Sequence, residues 1–485
     1  MTREPVRISN LKGEEWLLLL LFIVSRIPLL SSGYGSDPDA WRVAYVAGNF
    51  WDTGQYAVSR FPGYPLHEML MAPLVSIGGA VATNIFTLLA FTAALALWHS
   101  WCRKHTAHPV LLTISFAFAP LAWIASASNL DYVWSLLFLM AALQSASYSR
   151  STLAGIMLGL AIGFRPSNAM FAVVLFFLID DSTDVRGRGV GRLFFAASLT
   201  ALVAFLPVLV TYGASGWIRF VLDQVNGVDE PLAQKIVLAT YRGVYAFGPL
   251  AIAAIIVAFV VNRSHLMTQL KSDDKVLRGA VAGLGAMAVL FALLPAERSY
   301  LLPALPLMLV ALDRVASRKL IVIVAILMVS YAFVNPDVIR HAGRRGVPGF
   351  NVRAGIVVEE LDKREALERK REFLSTLVLP ESTIVMTGSA TQMWLGNHAF
   401  VTDTSTLNEI GVGIDVRDVA DVPARRRDDR SVFIVSVLSK DQIAGGRERG
   451  FRFAVTGDAR EYAEWVGGFN SRRDSVEVLG IPAAR

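Results

Sequence analysis

Residues 16–42 read WLLLLLFIVSRIPLLSSGYGSDPDAWR. The first part of this stretch is an apolar run with a single charge, Arg26, and it predicts a membrane helix, which needs roughly 20 apolar residues or fewer when its ends snorkel. The carboxylates of Asp37 and Asp39 follow at the edge of that helix, in a loop that extends to residue 80. A loop of this length is more than a connector, so we expect the two carboxylates to be functional.

The composition places the chain among membrane proteins. Of its 485 residues, 54% are hydrophobic, which predicts a polytopic α-helical protein of the inner or plasma membrane rather than a soluble protein. The formal net charge of +6 is small, and no basic patch is interleaved with aromatic residues, so nucleic acid is not an expected partner. The single cysteine, Cys102, excludes an internal disulfide, and the sequence contains no HExxH motif that would indicate zinc.

Apolar segments predict about eleven transmembrane helices. Two of them, at 152–164 and 168–179, are short, and they form either two short spans or one broken helical hairpin. The segments are 16–30, 81–101, 109–126, 130–148, 152–164, 168–179, 193–212, 241–261, 279–294, 300–312 and 320–334.

The loops differ in their content of Lys and Arg, which sets the orientation of a membrane protein. One set of loops carries 16 of these residues and the alternate set carries 6, so the N-terminus is predicted to be cytoplasmic. The loop at 31–80 and the chain after residue 334 then lie outside. We therefore expect a transmembrane catalytic domain at 1–335 and a soluble extracytoplasmic domain at 336–485.

Residue patterns also predict structure outside the membrane. In the loop at 31–80, residues 40–51 predict an interfacial helix and residues 67–77 a second short helix. The alternative is an amphipathic hairpin that only stabilises the fold. The C-terminal domain is expected to be a small α/β domain, with a charged helix at 353–373 and strands at 383–387, 431–437 and 451–455.

Ionisable residues from five separate segments fall on the predicted outer face. Such residues are costly at membrane depth and are usually functional, although each alone could be a helix-end anchor or part of an ion pair. A carboxylate can accept the proton of an attacking hydroxyl, and a guanidinium group can bind phosphate oxygens. Because nucleotide sugars are cytoplasmic and no Walker or GxGxxG loop is present, these groups predict sugar transfer from a polyprenyl phosphate. The residues are Arg26, Asp37, Asp39, Asp131, Arg165, Glu297 and Arg298.

Four motifs within about the first 330 residues are similar to those of a known superfamily. They are DAWRVA at 39–44, FPGYPL at 61–66, a glycine-rich helix that ends in Arg165-Pro166, and ERSYLLPALP at 297–306, with Asn129-Leu130-Asp131 as a weaker fifth. In order and spacing they resemble the GT-C superfamily of integral-membrane glycosyltransferases, in the branch of protein O-mannosyltransferases and aminoarabinose transferases. The resemblance implies an inverting hexosyl- or pentosyltransferase that uses a lipid-phosphate sugar donor.

The resemblance also implies roles for residues of this chain. Asp39 would be the catalytic base, with Asp37 as its rival because Ala40 stands where the family usually has Glu. Arg165 and Arg298 would bind the donor phosphate. The other substrate-binding candidates are Asp131 and Glu297, which would orient the acceptor, the sugar or the arginines, together with Arg26, Tyr64, His67, Glu68 and Tyr300.

No cofactor is expected. The Asp-x-Asp spacing at residues 37–39 could hold a divalent cation, but no further acidic motif supports one, so no metal site is predicted. The main alternative to an enzyme is a transporter or flippase of lipid-linked sugars. The helix count and the broken pair at 152–179 favour it, whereas the clustering of charges at one face and the lack of a visible repeat argue against it. A third is an assembly protein that acts through its C-terminal domain. The expected partners are the donor, membrane lipids and a glycan, lipid or protein acceptor that the sequence does not name.

Overall fold

The computed structural model of this chain is mostly helical. It describes residues 13–179, 183–226, 231–272, 274–295, 297–337, 351–376, 379–380, 383–388, 432–435 and 437–480. The α-helices, in chain order, are α1 Gly13–Val24, α2 Ile27–Leu30, α3 Pro38–Thr53, α4 Pro65–His105, α5 Pro109–Ala117, α6 Pro120–Ala125, α7 Asp131–Ser147, α8 Ser151–Phe164, α9 Ala172–Leu178, α10 Thr183–Ala204, α11 Leu206–Asn226, α12 Leu232–Phe247, α13 Pro249–Val261, α14 Arg263–Lys271, α15 Lys275–Leu293, α16 Ala304–Val315, α17 Arg318–Phe333, α18 Ile356–Thr376, α19 Lys440–Glu448 and α20 Arg460–Gly467.

The remaining elements are two 3-10 helices and six short strands among the described residues. Each of the eleven predicted apolar segments overlaps a helix, and the predicted strands correspond to β3, β4 and β5. The 3-10 helices are Pro166–Phe171 and Arg298–Leu301, and the strands are β1 Val334–Asp337, β2 Asn351–Ala354, β3 Thr383–Met386, β4 Val432–Val435, β5 Arg452–Thr456 and β6 Glu477–Leu479.

Helix length limits how many spans can be assigned. Helices α4 and α15 are each long and apolar enough to cross a membrane. Two broken pairs qualify when each pair is taken together: α10 with α11, bent by 89°, and α12 with α13, bent by 100°. The described residues therefore hold two spans, or up to four if each bent pair is one span, and the count of about eleven stays a prediction.

The chain divides into two compact units. The first unit comprises Met1–Ser31, Phe61–His67 and Ala80–Leu361, and it contains most of the helices. The second unit comprises Ser32–Arg60, Glu68–Gly79 and Asp362–Arg485. Most of the loop predicted at 31–80 thus belongs to the same unit as the C-terminal part of the chain. The division predicted at residue 335 stays a prediction.

In the first unit, α8 packs against α7 and α10. Gly155, Gly159 and Gly163 are spaced four residues apart on the side of α8 that faces α10. A Cβ atom at Gly159 would lie 2.6 Å from a carbonyl oxygen of α10, and one at Gly163 would lie 2.5 Å from the Cβ of Ala204. Small residues at this spacing let two helix backbones approach closely. The contact holds the end of α8, where Arg165 lies.

In the second unit, four parallel strands form a sheet in the order β4-β3-β5-β6. Leu374 of α18 packs against Val385 and Ala454 on one face. Ile443 of α19 and Ala463 of α20 belong to the core on the other face. Alternate residues of a strand point to opposite faces, so both faces of this sheet are covered by helices. This is an α/β arrangement.

The loop predicted at 31–80 contains helix in two places, as expected. Helix α3 begins after Asp37 and ends at Gly54, whose φ of 69° stops the helix. The second helix is longer than predicted, because α4 continues to His105. Its backbone is non-helical at Gly79, with φ 56° and ψ −139°. The predicted short helix precedes that break and the predicted span at 81–101 follows it.

Candidate active site

Arg165 lies where α8 ends in the first unit. The residue before a proline is disfavoured in the helical region, and Arg165, which precedes Pro166, is extended with φ −154° and ψ 107°. Its side chain is only 3% exposed. Its Nη1 donates to Oδ2 of Asp131 at 2.6 Å, and Asp131, the first residue of α7, is fully buried. A buried guanidinium group is thus neutralised by a buried carboxylate.

Three tyrosines surround the Arg165 guanidinium group. Its central carbon lies 3.8 Å from the ring centroid of Tyr132, 4.1 Å from that of Tyr300 and 5.7 Å from that of Tyr64. Ring faces carry negative potential, so they stabilise a cation that has lost its water. Gln224 donates to the Tyr300 hydroxyl at 3.3 Å and holds that ring.

The hydrogen bonds continue from Arg165 to Glu297. Nη2 of Arg165 donates to the Tyr132 hydroxyl at 3.1 Å, and that hydroxyl donates to Oε2 of Glu297. Hydrogen bonds in the order Asp131–Arg165–Tyr132–Glu297 therefore connect the fully buried carboxylate of Asp131 to the partly exposed carboxylate of Glu297. We call these four residues the buried relay. A guanidinium group donates hydrogen bonds and accepts none. The Tyr132 hydroxyl must therefore accept from Arg165, and its own hydrogen is directed to Glu297.

Two further arginines lie near Glu297. Arg298 begins the 3-10 helix that follows Glu297, and its side chain is exposed. Arg242, on α12, donates to the carbonyl oxygen of Pro295. Arg242 is repelled by the charge of Arg298 and attracted by that of Glu297. Each of these guanidinium groups can donate hydrogen bonds to an anion.

One donor of Arg165 remains available. Its Nε is buried and has no hydrogen-bond partner among the described residues, and the same holds for Nδ2 of Asn168 in the adjacent 3-10 helix. Buried donors normally have a partner, so each of these two atoms marks a place where a ligand or water would be bound.

Arg26 and His67 are also buried in the first unit. Arg26 is fully buried, with its central carbon 4.2 Å from the Phe22 ring and 4.5 Å from the Trp123 ring, and it donates to the carbonyl oxygens of Phe22 and Ala117. His67 is fully buried, and its ring centroid is 6.5 Å from that of Phe164. These contacts show both side chains inside the helix packing.

The acidic pair of the first loop belongs to the second unit. Oδ1 of Asp37 accepts a hydrogen bond from the backbone N–H of Asp39 at 2.8 Å and caps α3. Asp39 pairs with two arginines, with Nη1 of Arg42 at 3.1 Å and Nη1 of Arg60 at 3.4 Å. The two carboxylates therefore differ: Asp37 begins the helix, and Asp39 is held by side-chain ion pairs.

Glu68, also in the second unit, organises the segment that carries Arg60. Its carboxylate is buried and accepts from the Tyr56 hydroxyl at 2.5 Å, from the Ser59 backbone N–H at 2.7 Å and from the Ser59 hydroxyl at 2.6 Å. Arg60 follows directly. Glu68 thereby holds the backbone from which Arg60 reaches Asp39.

The structure brings five of the predicted site residues into contact in the first unit, and a sixth, Arg298, directly follows Glu297. Tyr132, Arg242 and Gln224 were not predicted from the sequence. Tyr132 follows Asp131 directly, so the weak fifth motif contained a signal for it. Arg242 fell inside the predicted span at 241–261. In the structure α12 ends at Phe247, before Gly248-Pro249, a dipeptide that breaks helices. The five predicted residues are Tyr64, Asp131, Arg165, Glu297 and Tyr300.

Proteins similar to this chain are found among solved structures. No protein-family model matches the chain, and no curated protein matches it. It is similar to the crystal structure of ArnT from Cupriavidus metallidurans bound to undecaprenyl phosphate, with 13% identity and a TM-score of 0.45 over 62% of this chain and 60% of that chain. It is also similar to the apo structure of the same ArnT, with 14% identity and a TM-score of 0.44 over 63% and 61%. The chain thus spans about 60% of the length of these structures.

Proposed function

We propose that this protein is an integral-membrane glycosyltransferase that moves a sugar from a polyprenyl-phosphate donor to an extracytoplasmic acceptor hydroxyl. The observation that carries the proposal is the buried relay with Arg242 and Arg298 beside its exposed end. A buried ion pair that holds an aromatic hydroxyl on a partly exposed carboxylate is costly to build, and such arrangements are concentrated at functional sites.

The donor phosphate is assigned to Arg298 and Arg242. Phosphate oxygens match the planar fork of donors on a guanidinium group, and two such groups match a phosphate that gains charge as the sugar leaves. Arg165, whose own charge is neutralised by Asp131, contributes its remaining Nε donor and the orientation of Tyr132. Glu297, held by Tyr132, orients the sugar or the acceptor hydroxyl.

The proposed reaction is a single displacement with inversion. The acceptor oxygen attacks the anomeric carbon, the bond between that carbon and the phosphate oxygen breaks, and polyprenyl phosphate leaves with the bonding electron pair. The proton of the acceptor hydroxyl passes to a carboxylate acting as general base. We assign that role to Asp39, with Asp37 as the alternative, and no metal takes part.

The first test is mass spectrometry of the cell envelope with and without the protein, which identifies the molecule that loses a sugar. Asp39→Asn and Asp37→Asn are then expressed separately in the deletion strain. We expect Asp39→Asn to abolish the modification and Asp37→Asn to reduce it. Full modification by both variants would rule out a base in this loop.

The second test concerns the phosphate. Binding of undecaprenyl phosphate to the purified protein is measured by native mass spectrometry. We expect Arg298→Ala and Arg242→Ala each to weaken binding about tenfold or more, the effect of losing a hydrogen bond to a charged group. Arg219→Ala is the matched control, because Arg219 is 82% exposed and pairs only loosely with Asp223 at 3.8 Å. Equal binding by all three variants would contradict the assignment.

A second candidate function is transport of a lipid-linked sugar. The bent pairs α10–α11 and α12–α13 favour it, because broken helices form substrate sites in many transporters. A flippase moves its substrate without breaking the sugar–phosphate bond. Reconstituted vesicles that translocate a polyprenyl-phosphate sugar, with no sugar transferred to any envelope molecule, would support this function over the enzyme.

The proposal includes the membrane topology. We propose about eleven crossings, a cytoplasmic N-terminus and an extracytoplasmic C-terminal domain in the inner or plasma membrane, as the Lys and Arg distribution predicts. Cysteine labelling from either side of the membrane tests the orientation, with new cysteines at exposed positions. Labelling of the C-terminal domain from the cytoplasmic side would contradict the proposed orientation.

A further inference from the structure

Helix α3 presents the acidic pair from its first turn, so the rotation of this helix determines where the carboxylates lie. Pro38 occupies the first helical position after the Asp37 cap, and Asp39 follows in the same turn. One helical residue corresponds to about 100° of rotation. A side chain that anchors this turn therefore controls the direction of the Asp39 carboxylate.

Trp41 is that anchor. It is 1% exposed, and its indole N–H donates to the carbonyl oxygen of Gly35 at 2.7 Å. Its ring packs edge-on against Tyr34, with centroids 5.2 Å apart. A Cβ atom at Gly33, where φ is +73°, would lie only 3.0 Å from Cζ2 of Trp41. The backbone before α3 is thus wrapped around the Trp41 ring.

Arg371, on α18, contacts this anchor from the C-terminal part of the chain. Its central carbon lies 4.8 Å from the centroid of the Trp41 ring, within the range of a cation–π interaction. Nη1 of Arg371 donates to Oε2 of Glu368 at 2.6 Å, one helical turn away. That bond limits the motion of the guanidinium group and favours its position at the ring.

Tyr34 lies within the electrostatic reach of Arg371. Burial raises the pKa of Tyr34 to about 12, and the positive charge of Arg371 opposes that shift. The hydroxyl of Tyr34 would lie 3.6 Å from a Cβ at Gly79, the residue that breaks α4. The aromatic pair of Tyr34 and Trp41 therefore lies between Arg371 of α18 and the first turn of α3, with the Tyr34 hydroxyl close to the break in α4.

We propose that Arg371 is a positioning residue that orients the acidic pair of α3 through Trp41. This inference rests on the proposed function, in which a carboxylate of this turn accepts the proton. It gives the C-terminal α/β part a defined role: α18 holds the turn from which the base acts. Arg371 itself touches no reacting atom.

The test uses the full-length protein with Arg371→Ala, Arg371→Lys and the control Arg369→Ala. Arg369 lies on the same helix, is 42% exposed and pairs with Glu365 at 3.6 Å. We expect Arg371→Ala to lower the amount of sugar-modified product per amount of protein about three- to tenfold, the range for loss of one cation–π contact. Arg371→Lys keeps a cation and restores part of the product, and Arg369→Ala matches the wild type.

Two measurements separate positioning from general stability. Binding of undecaprenyl phosphate to Arg371→Ala should equal that of the wild type, because the phosphate arginines are untouched. Hydrogen exchange of the amides at 33–41 should become faster in Arg371→Ala while exchange in the strands of the sheet does not change. If Arg371→Ala does not accumulate in cells, Glu368→Gln is used instead, because it weakens the hydrogen bond that holds the Arg371 side chain but keeps Arg371. We expect Glu368→Gln to give a smaller loss of product and the same faster exchange at residues 33–41.

The outcomes are distinguishable from those of the proposed function. If the wild type transfers no sugar, the proposed function fails. If the wild type is active and both Arg371→Ala and Glu368→Gln equal it, the positioning role is wrong and the enzyme assignment stands. Faster exchange throughout the second unit, or no recovery with Arg371→Lys, would also overturn the positioning role in favour of a structural one.

Discussion

Replacing Asp131 by Asn removes the charge that neutralises Arg165 while keeping the shape of the side chain. Asp131 is 0% and Arg165 3% exposed, and the pair is 2.6 Å apart. At an effective dielectric constant of about 20, two charges about 4 Å apart attract by roughly 4 kcal/mol. Breaking a buried pair from one side costs about 3–5 kcal/mol, because the other charge is left without compensation. We therefore expect Asp131→Asn to lower the free energy of unfolding by about 4 kcal/mol.

The assay is a double-mutant cycle on the purified protein in detergent, with denaturant unfolding of Asp131→Asn, Arg165→Met and the double variant. The double variant removes both charges, so we expect it to cost about 2 kcal/mol less than the sum of the single variants. Asp223→Asn is the matched control. Asp223 and Arg219 are 3.8 Å apart, and their side chains are 47% and 82% exposed. Asp223→Asn should therefore change the free energy of unfolding by less than about 0.5 kcal/mol.

Two results would refute this reasoning. Asp131→Asn could be no more destabilising than Asp223→Asn, which would mean that Arg165 finds equal compensation in its three tyrosines. Alternatively, the single effects could add within about 0.5 kcal/mol, which would mean that the two charges act independently. In either case the pair would not be the structural basis of the buried relay.

Further predictions concern the relay, the helix packing and the metal. Tyr132→Phe, which removes the hydroxyl between Arg165 and Glu297, should lower product per amount of protein about 10- to 100-fold in the envelope assay, and unchanged product would contradict the relay. Gly159→Leu should destabilise the protein by about 1–3 kcal/mol in thermal unfolding. Gly285→Leu, which points into open space, is its control, and equal effects would argue against close packing of α8 on α10. Treatment with EDTA should leave transfer unchanged, and a loss restored by Mg²⁺ or Mn²⁺ would establish a cation.

The helical part of the fold could be predicted because its signal is local. Long apolar runs and breaker residues identify helices without knowledge of their neighbours. Arg165 could be recognised for the same reason, since a charged residue between an apolar helix and Pro166 lies at a helix end. The number of membrane crossings depends instead on how broken helices are arranged, as at the 100° bend between α12 and α13, and that is not a local property.

The partners of each candidate residue could be predicted only in part. Asp131 and Arg165 were both expected on one face, but a spacing of 34 residues does not reveal that they bind each other. Trp41 was interpreted as an interfacial residue, because an exposed face and a face covered by another element have the same apolar pattern. Its contact with Arg371 joins residues 330 positions apart, which a single sequence does not show.

The arginines of the first unit differ in the charge that each can offer to a ligand. Arg165 and Asp131 form a buried pair that is neutral as a whole, so its attraction for a phosphate is limited to the Nε donor. Arg242 is repelled by the charge of Arg298 and attracted by that of Glu297. In the proposed reaction, a phosphate that gains charge as the sugar leaves would be stabilised most by these two guanidinium groups. In the proposed reaction, Arg165 would therefore hold Tyr132 and Glu297 in place, and Arg242 and Arg298 would attract the leaving group.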